Sequence, residues 1–211
     1  MSAISFYGNK PVACPVCQNS FRREVLRTGG GRLIAGDLLT DLRRTYKPSP
    51  KFGDVTPLIY NIVVCPACLY AALPEDYLMI QEPIREALKK TTKRRAKYLK
   101  MLFGNADFSQ ERNLTTGAAS FFLAVSSYSN YTKDFAPTTK KAICAIRASW
   151  LVSDLHKLKP NAGYDRIYWY FRYLAWTLYA AAIQYAQNGE ETFDKVSSLG
   201  PDIDMNYGYD G

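Results

Sequence analysis

The sequence predicts a mainly α protein, in which a small four-cysteine, zinc-ribbon-like β module precedes a body of antiparallel helical hairpins. Three observations predict it. Two near-identical turns, Cys14-Pro15-Val16-Cys17 and Cys65-Pro66-Ala67-Cys68, lie in the first third of the chain. From Glu82 onward the composition shifts to helix formers, and three long apolar segments separated by short breaks fill the second half. The chain therefore divides into residues 1–82, the cysteine module with an inserted loop, and 83–211, the helical body with an irregular tail.

Each cysteine turn has the Cys-x-x-Cys form. That spacing lets two thiolates converge on one tetrahedral ion while the intervening backbone amides point back at the sulfurs. Cys14, Cys17, Cys65 and Cys68 together make a closed four-thiolate set for one structural Zn2+. Two independent redox pairs, disulfides and free thiols are the competing readings; the repetition, with Pro at the same inner position, favours metal. Forty-seven residues separate Cys17 from Cys65, against about 15–20 in the commoner ribbon spacing. The excess is an insertion carried on the module, and loop-closure cost grows only logarithmically with length.

Hydrophobic content of 47% and charged content of 22% are those of a soluble globular chain, whereas 14% aromatic content, with 16 Tyr, is high. Large planar side chains suit helix-on-helix packing or a binding surface. The net charge of +8 points to acidic partners such as nucleic acid, or to solubility alone. Metal ligation accounts for four of the five cysteines, which fits a reducing compartment. Residues 1–10 lack the basic start and apolar run of a targeting segment. The longest apolar stretch, 174–186, falls short of the ~20 residues a membrane span needs. The expectation is a cytoplasmic protein without a membrane span.

In chain order, residues 21–27 alternate as a short strand leaving the first knuckle. Gly29-Gly30-Gly31 forms a turn; no Lys-Ser or Lys-Thr follows it, which argues against a phosphate loop. A short helix is predicted over 37–45, and Pro48, Pro50 and Pro57 then punctuate the chain. Residues 58–64, apolar and β-branched, read as the strand that delivers the second knuckle. Helical periodicity over 84–102 surrounds a basic stretch: Lys89, Lys90, Lys93, Arg94, Arg95 and Lys97. Such a run is a solvated face, a hinge between two helices, or a patch for nucleic acid or an acidic partner.

Three longer helices follow: 116–130, 138–158 capped at Thr138 or Thr139, and 164–188 stopping at Asn188-Gly189. Gly117, Ala118, Ala119 and Ala124 let neighbouring elements approach the first of these closely. A last helix is predicted over 190–199, ahead of the tail 200–211. Successive helices of this length joined by short loops resemble tetratricopeptide hairpins in architecture.

No catalytic group assembles from the sequence. His156 and Asp154, two apart on a helix, point to different faces. Cys144 lies in an apolar run as a buried thiol, four thiolates leave a metal no open position, and Asp202 and Asp204, a pair that could bind a cation, read rather as capping or solvated residues. The aromatics of 164–179, among them Tyr168, Trp169, Tyr173 and Trp176, surround their helix. Either a central helix buries most of them, or they line a groove for a partner peptide or helix. The expected function is a non-catalytic zinc-binding adaptor between proteins; the alternative is a nucleic-acid-binding zinc-ribbon protein using 89–97.

The chain resembles the bacterial family known as domain of unknown function 2225. The resemblance rests on Cys14-Pro15-Val16-Cys17 followed by Phe21, on Asp37-Leu38, on Tyr60 to Val64 running into Cys65-Pro66-Ala67-Cys68 with Tyr70-Ala71 after it, and on the helical remainder. It implies a zinc-ribbon-like head on a tetratricopeptide-like body, and no particular reaction. The residue after the second cysteine of such knuckles is usually Gly, and here it is Gln18 and Leu69. A left-handed backbone at those positions costs a side chain about 1 kcal/mol.

Overall fold

Residues 4–196 are described by the structure, a computed structural model. The N-terminal part holds short strands: β1 (Ser5–Tyr7), β2 (Val12–Ala13), β3 (Ser20–Phe21), β4 (Glu24–Leu26), β5 (Ile34–Leu38), β6 (Arg44–Lys47), β7 (Val63–Val64) and β8 (Ala71–Ala72). They pair as four two-stranded antiparallel sheets: β1 with β4, β2 with β3, β5 with β6 and β7 with β8. The sheets β2–β3 and β7–β8 are the stems of the two cysteine turns, and β1–β4 closes around the first of them.

Two sequence expectations are corrected here. The alternating run 21–27 is broken, because Phe21 pairs with Val12 inside the knuckle whereas Glu24, Val25 and Leu26 pair with β1. The helix expected over 37–45 is instead the β5–β6 hairpin, with a register irregularity between Ala35 and Leu38 and a left-handed Leu42 in its turn. Tertiary partners override the local propensity. Asp41 Oδ2 accepts from Trp150 Nε1 at 2.7 Å and from Arg172 Nη1 at 2.9 Å, and Arg43 pairs with Asp154. Gly36 is required because a Cβ there would stand 2.4 Å from Thr45 Oγ1. The predicted strand 58–64 shortens to β7, since Pro57–Tyr60 winds into a single 3-10 turn.

The helices are α1 (Glu82–Lys90), α2 (Thr92–Phe103), α3 (Leu114–Tyr128), α4 (Pro137–Leu158) and α5 (Tyr164–Gln187). Acid at the start and base at the end of α1, Glu82 against Lys89 and Lys90, complement the helix dipole. The basic run does contain a hinge, at Thr91 between α1 and α2. Asn113 caps α3 in a reciprocal box with Thr116. The cap expected for α4 at Thr138 or Thr139 is not a side-chain cap. The helix starts on left-handed Ala136 and Pro137, and the buried Glu191 carboxylate accepts from Thr138 N at 3.1 Å and Thr138 Oγ1 at 2.6 Å. Gly189, at φ 69°, terminates α5 where the sequence placed the stop. Of the helix expected over 190–199, the described part is one 3-10 turn, Phe193–Lys195; the remainder and the tail lie outside the described residues.

Most of α4 is buried, and it packs along both α3 and α5. Thr138 at its start meets Glu191 just past the end of α5, and Lys140 lies over the Tyr128 ring at the end of α3. Both pairings are therefore antiparallel. The cysteine module rests on α3, where Gly117 lets Ile59 reach the helix backbone: a Cβ would stand 2.6 Å from Ile59 Cγ2. One cluster of buried residues runs from Cys14 and Val16 through Tyr70 and Ala118 to Ala175. A polar seam crosses it. Asp76 accepts from Lys140 Nζ at 2.7 Å and from Tyr128 OH at 2.5 Å, and Tyr70 and Tyr131 share a hydroxyl contact at 2.7 Å. No helix of the described residues is long and apolar enough to cross a membrane.

Candidate metal centre

Both cysteine turns are built alike. In the first, Gln18 N donates to Cys14 O and Cys14 N to Asn19 O, each at 2.9 Å; in the second, Leu69 N donates to Cys65 O and Cys65 N to Tyr70 O, also at 2.9 Å. The turns close only because Gln18 and Leu69 take left-handed backbones, φ 63° and 59°, at the two positions where the sequence departs from Gly. Backbone N–H groups of Cys17 and Val16 point at the Cys14 sulfur, that of Cys68 at Cys65, and that of Tyr70 at Cys68.

The insertion between the knuckles does not keep them apart. Cys14 Sγ lies 3.6 Å from Cys68 Sγ, Cys17 Sγ lies 3.6 Å from Cys65 Sγ, and all four sulfurs fall within 4.8 Å of one another. Four thiolates around one tetrahedral ion at about 2.3 Å stand about 3.8 Å apart. The donor set fits such an ion, whereas a disulfide needs about 2.05 Å. Cys14, Cys65 and Cys68 are buried; Cys17 is exposed and gives the centre one open edge. The sulfurs also compete for hydrogen bonds with one another. Hydrogen bonds from Cys65 and Cys68 pull the Cys14 thiol down, and the bond to Cys14 pushes those of Cys65 and Cys68 up. A cation removes this competition, because thiolates are the ligating form.

Arg95 is corrected from the expected basic patch. It is 1% exposed, held inside by Nη2 to Cys68 O at 2.9 Å, Nη1 to Leu88 O at 2.9 Å, and the hydroxyls of Thr91 at 2.7 Å and Thr92 at 3.1 Å. Burial pushes its pKa down while the sulfurs of Cys68 and Cys14 pull it up. The other members, Lys89, Lys90, Lys93, Arg94 and Lys97, are exposed, with Lys89 paired to Glu86 at 2.7 Å. The one sequence signal for the position of Arg95 is Thr91-Thr92, two hydroxyl residues set into a basic run.

The aromatic residues of α5 divide between buried and exposed positions. Tyr164 and Phe171 are buried, Tyr168 is half-buried, and Trp169, Tyr173 and Trp176 are 67%, 66% and 67% exposed. The central helix of the body is α4, so α5 turns one face outward. His156 gains no relay, since the Asp154 carboxylate is taken by Arg43 and Lys157. Cys144 is fully buried, and burial pushes its thiol up to about 12. The seam of Asp76, Lys140 and Tyr128 was not foreseen, because nothing in the spacing of residues 76, 128 and 140 announces that they meet.

A bipartite cysteine centre, two knuckle hairpins on an antiparallel set of helices, defines the class of protein. The chain belongs to the domain of unknown function 2225 family, described as an uncharacterized protein conserved in bacteria, whose profile matches residues 7–206. A relative from Borreliella burgdorferi (strain B31), itself called an uncharacterized protein, is 39% identical over 210 residues, covering 100% of this chain and 75% of the relative. No solved structure matches the chain.

Proposed function

We propose that this chain is a non-catalytic, cytoplasmic adaptor: one structural Zn2+ folds a zinc-ribbon-like head, and the α4–α5 pair acts as a tetratricopeptide-like hairpin presenting α5 to another protein. Zinc suits four thiolates because it favours tetrahedral sulfur coordination and undergoes no redox change. The observation that carries the docking reading is the row of Trp169, Tyr173 and Trp176, two-thirds exposed at i, i+4 and i+7 on one helix face. Large aromatics of this kind anchor interfaces, and an amphipathic partner helix is the occupant whose apolar face matches such a row. Affinity capture from the native cell, with wild type beside Trp169→Ala and Tyr173→Ala, tests it. A protein retained by wild type, lost with the variants and bound again as a purified partner supports the reading. An identical set captured by all three chains contradicts it.

A second reading, nucleic-acid binding, draws on one observation. Lys90, Lys93, Arg94, Lys97 and Lys100 are exposed, and none has a carboxylate in ion-pair range among the described residues. Phosphate contacts make affinity fall steeply with salt. Retention of single- or double-stranded nucleic acid at low salt, lost on neutralising Lys93, Arg94 and Lys97, favours this reading. No retention at low salt removes it.

A further inference from the structure

The chemistry of the four sulfurs leaves a charge to be explained. A divalent ion held by four thiolates carries about two net negative charges, and three of these sulfurs are buried. Buried charge is tolerated when it is paired. Among the described residues, the buried cation that touches this turn is Arg95. Its guanidinium donates to the Cys68 carbonyl, to Leu88 O at the end of α1, and to the hydroxyls of Thr91 and Thr92 at the α1–α2 hinge. Its Nε–H has no hydrogen-bond partner, and no carboxylate lies in ion-pair range of it among the described residues. A cation 1% exposed whose hydrogen-bond partners are all neutral oxygens is costly unless an opposite charge lies close. Arg95 and the thiolate centre stand side by side.

We propose that Arg95 is the fixed counter-charge of the metal–thiolate centre, and that metal occupancy thereby holds the α1–α2 arm, with its exposed lysines, against the second knuckle. The inference rests on the reading of the four cysteines as a metal site. Arg95 touches the backbone of a ligand residue and is a positioning residue. Its planar fork serves both ends: Nη2 reaches the Cys68 carbonyl and Thr92, and Nη1 reaches Leu88 O and Thr91 at the hinge. With the ion gone, nothing fixes the Cys68 turn that the guanidinium grips, and the arm loses its anchor. The arm then opens at the hinge first.

The test compares wild type with Arg95→Met and Arg95→Lys, each loaded with zinc, by the rate and extent of zinc transfer to a chromogenic chelator. Helical content by circular dichroism is recorded on the same samples. Arg95→Met is expected to give up zinc about 10–100-fold more readily, the range for removing a group that supports metal ligands. Arg95→Lys is expected to recover a large part of that loss, because it keeps the charge and loses the fork. Equal retention by all three chains, or equal loss by Met and Lys, overturns the counter-charge role. Because either variant can misfold, wild type supplies an independent measurement: hydrogen exchange before and after chelation. Amides around Thr91 and along α2 should lose protection before those of α4, and unchanged α2 exchange overturns the coupling. Wild type that carries no stoichiometric zinc at the outset defeats the metal reading itself, a result distinct from either failure of the Arg95 role.

Discussion

At the scale of single residues, burial sets the chemistry. Cys144 lies among Ala142, Ala145 and Ala148 on α4 with no exposed surface, and burial pushes its thiol from 9.0 up to about 12. Tyr179, also raised by burial, moves from 10.0 to about 12. Groups whose folded pKa is raised hold more protons in the folded than in the unfolded chain at alkaline pH, so stability falls there. This stability is fully present below about pH 9 and is lost progressively up to about pH 12. The denaturant midpoint should therefore drop between pH 8 and pH 10.5, and Cys144→Ala should flatten part of that slope. A midpoint rising over the same interval contradicts the assignment. The sequence showed Cys144 as an inert thiol because its neighbours are apolar. It could not show Arg95 going inside, because the acceptors that draw it there include a carbonyl 27 residues away in another element.

Elements meet where small residues permit it. Gly117 on α3 faces Ile59, and a Cβ at that position would stand 2.7 Å from Ile59 Cβ and 3.0 Å from its Cα. Backbone and a β-branched side chain cannot yield as a flexible tip would. Gly117→Ala should cost about 1–3 kcal/mol in chemical denaturation, although alanine is the better helix former. A gain in stability would show that α3 and the 3-10 turn are free to separate. The long helices were legible because their stops and apolar composition are local, whereas their caps were not: Asn188-Gly189 ends α5 at the expected stop, but α4 starts on Ala136 without a side-chain cap. The hairpin of β5 and β6 was not. Its shape is fixed by Asp41 and Arg43 reaching α4 and α5, contacts more than 100 residues distant that no local pattern encodes.

Across the whole molecule, the cysteine module and the helices are joined by one buried network rather than by apolar packing alone. Lys140 and Asp76, both under 10% exposed, link the segment after the second knuckle to α4, with Tyr128 of α3 on the same carboxylate. Removing one member strands a buried charge, so Lys140→Met should lower unfolding free energy by about 3–5 kcal/mol. Lys140→Met with Asp76→Asn should recover part of that loss, since neither charge is then left alone. Equal destabilisation by the single and double variants, measured by urea unfolding, would mean that packing and not charge joins the parts.

The four cysteines were legible as a candidate metal set, because two repeated turns carry their own geometry. What lay beyond the sequence was whether 47 intervening residues allow them to meet, and the fold brings Cys14 to 3.6 Å from Cys68. Metal content is the direct test. Protein purified without chelators should carry one zinc per chain by elemental analysis, and Cys14→Ser should lose it. Reduced wild-type protein that is fully folded yet holds no metal, and takes up none when zinc is supplied, would contradict the account.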